Sequence, residues 1–305
     1  MRVRTAVAAV TTLVVTAAIG GYALWWRTGQ PPLRLALAQR CLVNGDAVDG
    51  NGADGNGADA GGQVSLDPEQ TANAATISAV GIRRGVPPRA IVVALATALQ
   101  ESKLRNLAAG DRDSVGLFQQ RPSQGWGTPE QIADPRYAAG RFYASLLRVR
   151  GWESMRVTEA AQRVQRSKYP EAYEKWADEA AVLARALSGD VTAAVACTVV
   201  DEPAQRGAVA ATALAEGVRL DWGDIRAVAS PDVVGLTLTP RDQKAGWQYA
   251  HWLVAYAADR GVRRVRYGDQ EWTAASGSWT RVTSGSATNR ERVVAEVYRR
   301  LSYAK

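Results

Sequence analysis

The apolar positions change their spacing several times along the chain, and each change predicts a different kind of element. From Thr5 to Trp26, 22 consecutive residues carry no formal charge and most are apolar. As a helix they reach about 33 Å, the thickness of a hydrocarbon core. Arg2 and Arg4 ahead of this run, and Trp25, Trp26 and Arg27 at its end, have the basic and aromatic character of membrane-interface anchors. A cleaved secretory signal has a shorter apolar stretch with a small-residue site close behind, whereas the nearest such site here is Ala36 to Ala38. Residues 1–27 are therefore expected to be an uncleaved transmembrane anchor. Residues 28–65 lose the pattern, and Asn44 to Gln63 repeat Asn-Gly-Ala-Asp-like units, which reads as a flexible tether. The acids Asp46, Asp49, Asp54 and Asp59 with Asn51 do not meet the EF-hand spacing, and no Glu closes a calcium loop.

Helical spacing follows. Asp67-Pro68-Glu69 combines an N-cap, a proline at the first helical position and an acid facing the positive dipole end, and predicts a helix to about Arg84. Pro87-Pro88 opens a second helix, buried nearly all round because Ile91 to Leu99 has no charged residue. Three more helices are expected: Pro135 to Arg150 with Phe142, Leu146 and Val149 on one stripe, Thr158 to Arg166, and Pro170 to Leu187 before Gly189. Residues 66–198 thus read as an all-α domain. Beyond a linker from Val199 to Ala204 the pattern is mixed. Helices are expected over Gln205 to Glu216, Pro240 to Arg260 and Asn289 to Leu301, and strands over Val233 to Leu238, Val262 to Tyr267 and Glu271 to Thr273. Residues 205–305 are a smaller α+β domain.

Composition narrows the chemistry. A net charge of +7 on 305 residues suits anionic partners such as nucleic acid, anionic lipid or bacterial wall polymers. Basic residues are scattered among acids and no nucleic-acid recognition motif appears, which favours the wall polymers. One histidine, His251, and two cysteines, Cys41 and Cys197, are too few for a four-ligand zinc site, and no metal or cofactor is expected. His251 shares a helical face with Trp247 and Val254, as a packed core histidine does. A Cys41–Cys197 bridge would tie the start of the tether to the exit of the helical block and would place the chain outside the cytoplasm; two unpaired thiols are the alternative.

The sharpest chemical signal ends the second helix. Counting back from Glu101 meets Ala98, Thr97 and Ala94, so its carboxylate projects from a small-residue, buried side. Burial and the negative end of the helix dipole both favour the neutral acid, the form that hands a proton to a leaving oxygen. A Glu fraying into solvent at a helix end is the plainer reading of this feature taken alone.

Glu101-Ser102, Leu104, Ala108 and Gly116-Leu117-Phe118-Gln119 resemble the Glu-Ser and Gly-Leu-Met-Gln motifs of lysozyme-like soluble lytic transglycosylases. The stretch Ala98 to Gly127 is similar to membrane-anchored lysozyme-like proteins of actinobacteria. The resemblance, which spans about Leu66 to Leu187, implies an all-α lysozyme-like domain that cleaves peptidoglycan glycan strands. It makes Glu101 the general acid/base and Ser102, Gln119 and Gln120 lining residues of the sugar cleft. Three departures stand out. Gly110 replaces a common Ser, Asp113-Ser114 replaces Gly-Ala, and Val164-Gln165 stands in for Tyr-Asn, with Tyr169 or Tyr173 just beyond as the nearest hydroxyls. Asp113 is the candidate second carboxylate for a hydrolytic route, with a self-bonded polar turn as its alternative; Asp111 fits the turn. Without a second acid, the resemblance implies that Glu101 alone serves and the muramoyl 6-hydroxyl closes an anhydro ring. Trp126, flanked by Gly125 and Gly127, is a candidate sugar-stacking platform or a core tryptophan.

Gly246 to Trp279 resembles a D,D-carboxypeptidase-like C-terminal domain of actinobacterial secreted proteins, but Ser284 to Arg292 contains no histidine, so the zinc ligands are missing. The resemblance implies a degenerate domain that binds or braces. The function expected is membrane-anchored, extracytoplasmic glycan-strand cleavage, with cell-wall machinery proteins as a further partner class. A non-catalytic wall-binding scaffold that keeps the same groove is the alternative.

Overall fold

A computed structural model describes residues 39–45, 62–200, 203–225, 227–229, 234–282 and 291–299. The expected span Thr5 to Trp26 and most of the tether lie outside them. Among the described residues no helix is long and apolar enough to cross a membrane. The fold is mixed α and β with two antiparallel sheets, which corrects the expectation of an all-α lysozyme-like domain.

The first sheet explains that correction. It is built from β1 (Cys41–Asn44), β2 (Gln63–Leu66) and β3 (Val195–Cys197), in the order β2-β1-β3. β1 and β2 fall in the stretch read as tether, yet alternation puts Cys41, Val43, Val64 and Leu66 inside while Leu42 faces out. Four residues per strand are too few for the period of two to stand out from a Gly/Asp-rich background. Cys41 lies opposite Cys197 in the register and the two form a disulfide, closing a separation of 156 residues.

Between β2 and β3 the chain runs through α1 (Pro68–Arg83), α2 (Pro88–Ser102), α3 (Pro129–Ala133), α4 (Pro135–Leu146), α5 (Val157–Gln165) and α6 (Ala177–Leu187). Asp67 caps α1 in a capping box with Gln70. α2 is the central helix, with Ile91 and Val93 to Leu99 buried. The single helix expected from Pro170 is instead a run of turns, a short 3₁₀ helix over Glu174–Trp176, and then α6.

The second sheet has the order β4-β5-β9-β6-β7-β8, from β4 (Ala227–Ala229), β5 (Gly235–Leu238), β6 (Val262–Tyr267), β7 (Gln270–Thr273), β8 (Trp279–Arg281) and β9 (Val293–Val297). It is covered by α7 (Gly207–Trp222) and α8 (Gln243–Ala255), with a short α9 (Ala257–Arg260). β9 overturns the closing helix expected over Asn289 to Leu301. Val293, Ala295 and Val297 are buried between β5 and β6, and pairing on both edges outweighs the local helix propensity of Arg, Ala and Glu.

The helical block and the α+β block lie in one compact unit spanning Gln39–Lys305. Two buried polar side chains cross between them. Asp221 on α7 has no exposed surface, and its Oδ2 accepts from Thr76 Oγ1 on α1 at 2.8 Å and from Trp252 Nε1 on α8 at 2.7 Å. Arg136 Nε of α4 stands 2.5 Å from Oδ1 as an ion contact, and Thr76 Oγ1 is 2.5 Å from the Tyr256 hydroxyl. His251 on α8 accepts at Nε2 from the Ala194 N–H at 2.9 Å, which leaves Nδ1–H to donate to Ala186 O at 2.8 Å. Trp247 packs against its ring, with centroids 5.3 Å apart.

Two stability predictions follow from these groups. Burial holds His251 down at about 4 against 6.5 for the unconstrained ring, so between those values the unfolded chain binds a proton that the native state refuses. His251 therefore contributes full stability above pH 6.5 and loses it as pH falls toward 4, by about 3 kcal/mol. Urea midpoints measured from pH 7.5 to 4 should fall more steeply for the native chain than for His251→Gln; parallel profiles would assign the acid loss to other groups. Asp221→Ala should cost about 3 kcal/mol, because it strands Arg136 in a largely buried site. A midpoint shift worth under about 1 kcal/mol would show that the carboxylate is not a structural keystone.

Candidate functional site

Glu101 sits in the last turn of α2, where the chain leaves the helix through two successive left-handed residues, Lys103 (φ 55°) and Leu104 (φ 59°). Carbonyls at this exit are held from α1: Gln70 Nε2 donates to Lys103 O at 2.9 Å and Asn73 Nδ2 to Leu104 O at 2.8 Å. Arg105 is fixed by Asp67 and Glu69. Six non-glycine residues have positive φ among the described residues, and five of them, Lys103, Leu104, Arg112, Gln119 and Arg166, belong to the segments that surround Glu101. Backbone strain concentrated in this way marks a site whose geometry is imposed by its surroundings.

Opposite the helix end stands a tight turn closed by Val115 and Gln120, whose backbones exchange bonds of 2.9 and 3.1 Å. Gly116 has φ 76°, and a Cβ there would come 2.8 Å from Ile132 O, so glycine is required. Leu117 and Phe118 point into the core, where Phe118 stacks on Phe142 at 4.8 Å. Their carbonyls thereby face the helix end. Ser102 Oγ, 2.8 Å from Leu117 O and 3.1 Å from Ala98 O, ties α2 to the turn.

The half-buried carboxylate of Glu101 receives two neutral donors on one oxygen. Oε1 accepts from the Tyr173 hydroxyl at 2.7 Å and from Gln165 Nε2 at 3.2 Å. The second hydrogen of Gln165 Nε2 goes to Phe118 O at 2.8 Å. Among the described residues no donor reaches Oε2. Burial, and then the neighbouring Glu101 charge, push the Tyr173 hydroxyl well above the usual tyrosine range, so it stays a donor. Beside this pair, Trp176 Nε1 donates to Gln100 Oε1 at 2.8 Å, and the Lys103 ammonium lies 3.9 Å from the Trp176 ring centroid.

The sequence-predicted residues divide clearly. Glu101, Ser102 and Gln165 come together with the Gly116–Gln119 turn. Gln119 is half-buried with its amide folded onto Gly116 O at 3.0 Å, and a Cβ on Gly110 would sit 1.7 Å from Gln119 Oε1, which accounts for glycine at Gly110. Gln120 turns into the core, where Nε2 donates to Ala138 O at 3.2 Å, and so does not face the cleft. Asp113 does not join Glu101. Its carboxylate takes Arg121 Nε at 2.6 Å and the Ser123 N–H at 2.8 Å, and Arg121 first and Ser123 second hold it far below the usual carboxylate range. Asp111 is exposed. Tyr169 is 71% exposed, and the hydroxyl that Glu101 accepts comes from Tyr173. Tyr173 was named beside Tyr169 with no signal to choose between them, because it lies in irregular turns before α6. Trp176 was not legible for the same reason.

A cleft of about 680 Å³ meets this site at Gln165 and is lined in part by Trp126, Ser145 and Val164. Trp126 is half-buried, and its carbonyl accepts from Tyr137 Oη at 3.1 Å, which fixes the segment that forms one wall. Among the described residues no group of three or more His, Cys, Asp or Glu side chains could hold a metal ion.

No protein-family model matches this chain, and no curated protein matches it significantly.

The turn's dependence on Gly116 is directly testable. Gly116→Ala should destabilise the protein by about 1–3 kcal/mol, through both the positive φ and the Ile132 carbonyl. A thermal midpoint within one degree of the native chain would contradict the close approach.

Proposed function

We propose that this protein cleaves the glycan strands of peptidoglycan outside the cytoplasm, beside the plasma membrane, with Glu101 as the only protein acid/base. The observation that carries the reading is the asymmetric environment of Glu101. Two neutral donors hold Oε1, Oε2 is left without one among the described residues, and a cleft reaches the pair at Gln165. The resemblance of Glu101-Ser102 and Gly116-Leu117-Phe118-Gln119 to glycan-cleaving motifs supplies the substrate class. The disulfide supports an oxidising location.

The chemistry is then a two-stage use of one carboxyl. A proton on Oε2 passes to the glycosidic oxygen as the bond from that oxygen to the sugar C1 breaks. The carboxylate left behind is stabilised by Tyr173 and Gln165, whose bonds to Oε1 strengthen as charge develops there. The muramoyl 6-hydroxyl then attacks C1 and returns its proton to Oε2, closing the anhydro ring and restoring the acid. Asp113 is neutralised by Arg121, which supports the one-carboxylate route over hydrolysis by a pair.

The test is release of muropeptides from purified peptidoglycan, analysed by mass. Glu101→Gln should lower release by about 10³-fold. Tyr173→Phe should lower it by about 10- to 100-fold through the lost bond to the carboxylate. Asp113→Asn should stay within about threefold of the native chain. Products lighter by one water mark the anhydro route; absence of Glu101-dependent release would refute the proposal.

A further inference from the structure

The cleft that reaches Gln165 has a charge pattern that glycosidic cleavage does not itself require. Of its eleven lining residues, four are arginines, Arg141, Arg148, Arg163 and Arg166, and none is Asp or Glu. Their hydrogen bonds among the described residues go to neutral oxygens: Arg141 to Gly125 O at 3.0 Å and Arg148 to Ser145 Oγ at 3.2 Å. Nearby acids are already engaged, since Glu159 and Glu171 both pair with Arg156 at 3.1 Å. Among the described residues none of the four is held in a salt bridge; Glu159 feels the Arg163 charge but is itself bonded to Arg156, so the guanidinium groups line the cleft with their donors largely unspent.

The geometry is that of a track. Arg141 and Arg148 are two turns apart in sequence on α4 and its continuation, about 10 Å along a helix. Arg163 lies in the last turn of α5 and Arg166 just past its end, one on each side of Gln165, the residue that binds Glu101. A second hollow of about 570 Å³ shares Val149, Arg163 and Arg166, so the groove continues beyond the arginine pair. An extended groove suits a polymer, and the planar guanidinium fork matches carboxylate groups with two parallel hydrogen bonds.

We infer that this groove binds a glycan strand bearing carboxylates, the arginines holding the acidic side groups while the strand crosses Gln165 toward Glu101. The inference rests on the glycan-cleavage reading for its Glu101 end only. Single-stranded nucleic acid is the other polyanion of this shape. It is disfavoured because Trp126 is the only aromatic lining residue of this cleft and is half-buried, whereas non-specific strand binding uses successive exposed stacking platforms.

The test uses the full chain carrying Glu101→Gln, so that binding is measured without turnover. Its co-sedimentation with insoluble peptidoglycan is compared with that on the same polymer after its carboxyl groups are amidated. The addition of Arg148→Gln and Arg163→Gln, both exposed positions, forms the second arm, with circular dichroism confirming the fold. Amidation should weaken binding about tenfold, and the arginine changes should weaken binding to native polymer about tenfold while leaving the amidated polymer unaffected. Equal binding to the two polymers, or displacement by single-stranded DNA at the same charge concentration as by soluble glycan fragments, would overturn the inference. Arginine- and carboxylate-dependent binding, together with no fragment release by the native chain, would uphold the groove and refute the cleavage proposal. Fragment release with arginine-independent binding would do the reverse.

Discussion

The buried carboxylate of Asp221 is the constraint on which the rest of the molecule depends. A charge with no exposed surface is tolerable only when its oxygens are met, and the groups that meet it come from α1, α4 and α8. Through Asp221, α7 is tied to α1 and α4 of the helical block as well as to α8. That coupling fixes the positions of α1 and α4. These two flank α2, and α1 supplies the Gln70 and Asn73 amides that hold the helix exit beside Glu101. The route from a distant buried ion pair to the candidate acid thus runs through packed helices. His251 makes a parallel tie by joining Ala186 and Ala194, at the end of α6 and just before β3, to α8. The C-terminal block braces the domain that carries the site.

Around Glu101 the backbone does much of the positioning. Left-handed residues turn the chain sharply after α2, the Gly116–Gln119 turn presents its carbonyls toward the helix, and Phe118 locks that turn by stacking on Phe142. Unusual residues around the site become intelligible as local compensation. The absence of a side chain at Gly110 leaves room for Gln119, and Gln165 donates at once to Glu101 and to the turn. The hydroxyl on Glu101 comes from Tyr173 in an irregular segment. One carboxyl flanked by neutral donors, with Asp113 paired to Arg121, is the arrangement on which the proposed chemistry draws.

Much was legible in the sequence wherever the signal was local. The capping box of Asp67, the proline start of α2, the uncharged run Ile91 to Leu99 and the strand Val262 to Tyr267 are read from neighbouring residues, because caps and side-chain periodicity act over one or two turns. That Glu101, Ser102 and Gln165 come together with the Gly116–Gln119 turn was expected from the motif resemblance, and the packed state of His251 was legible through its helical face. Whatever depended on distant segments was hidden. β1 pairs with β2 across the Gly/Asp-rich stretch and with β3 across the whole helical block, and Val293 to Val297 becomes a strand only because β5 and β6 offer free edges. Tyr169 and Tyr173 could not be told apart, and Asp113 could not be placed, because nearness in sequence says little about side-chain direction in loops and turns.

The sequence by itself determined where α1, α2 and α4 begin, which helix is central and which carboxyl ends it, since capping, periodicity and charge are properties of adjoining residues. Only the tertiary structure decided that two sheets complete the fold, that Tyr173 and Gln165 share the acid, and that Asp221 joins the two blocks. Strand pairing, buried hydrogen bonds and ion pairs are contacts between residues tens to hundreds of positions apart, and their energy exists only once the chain has brought them together.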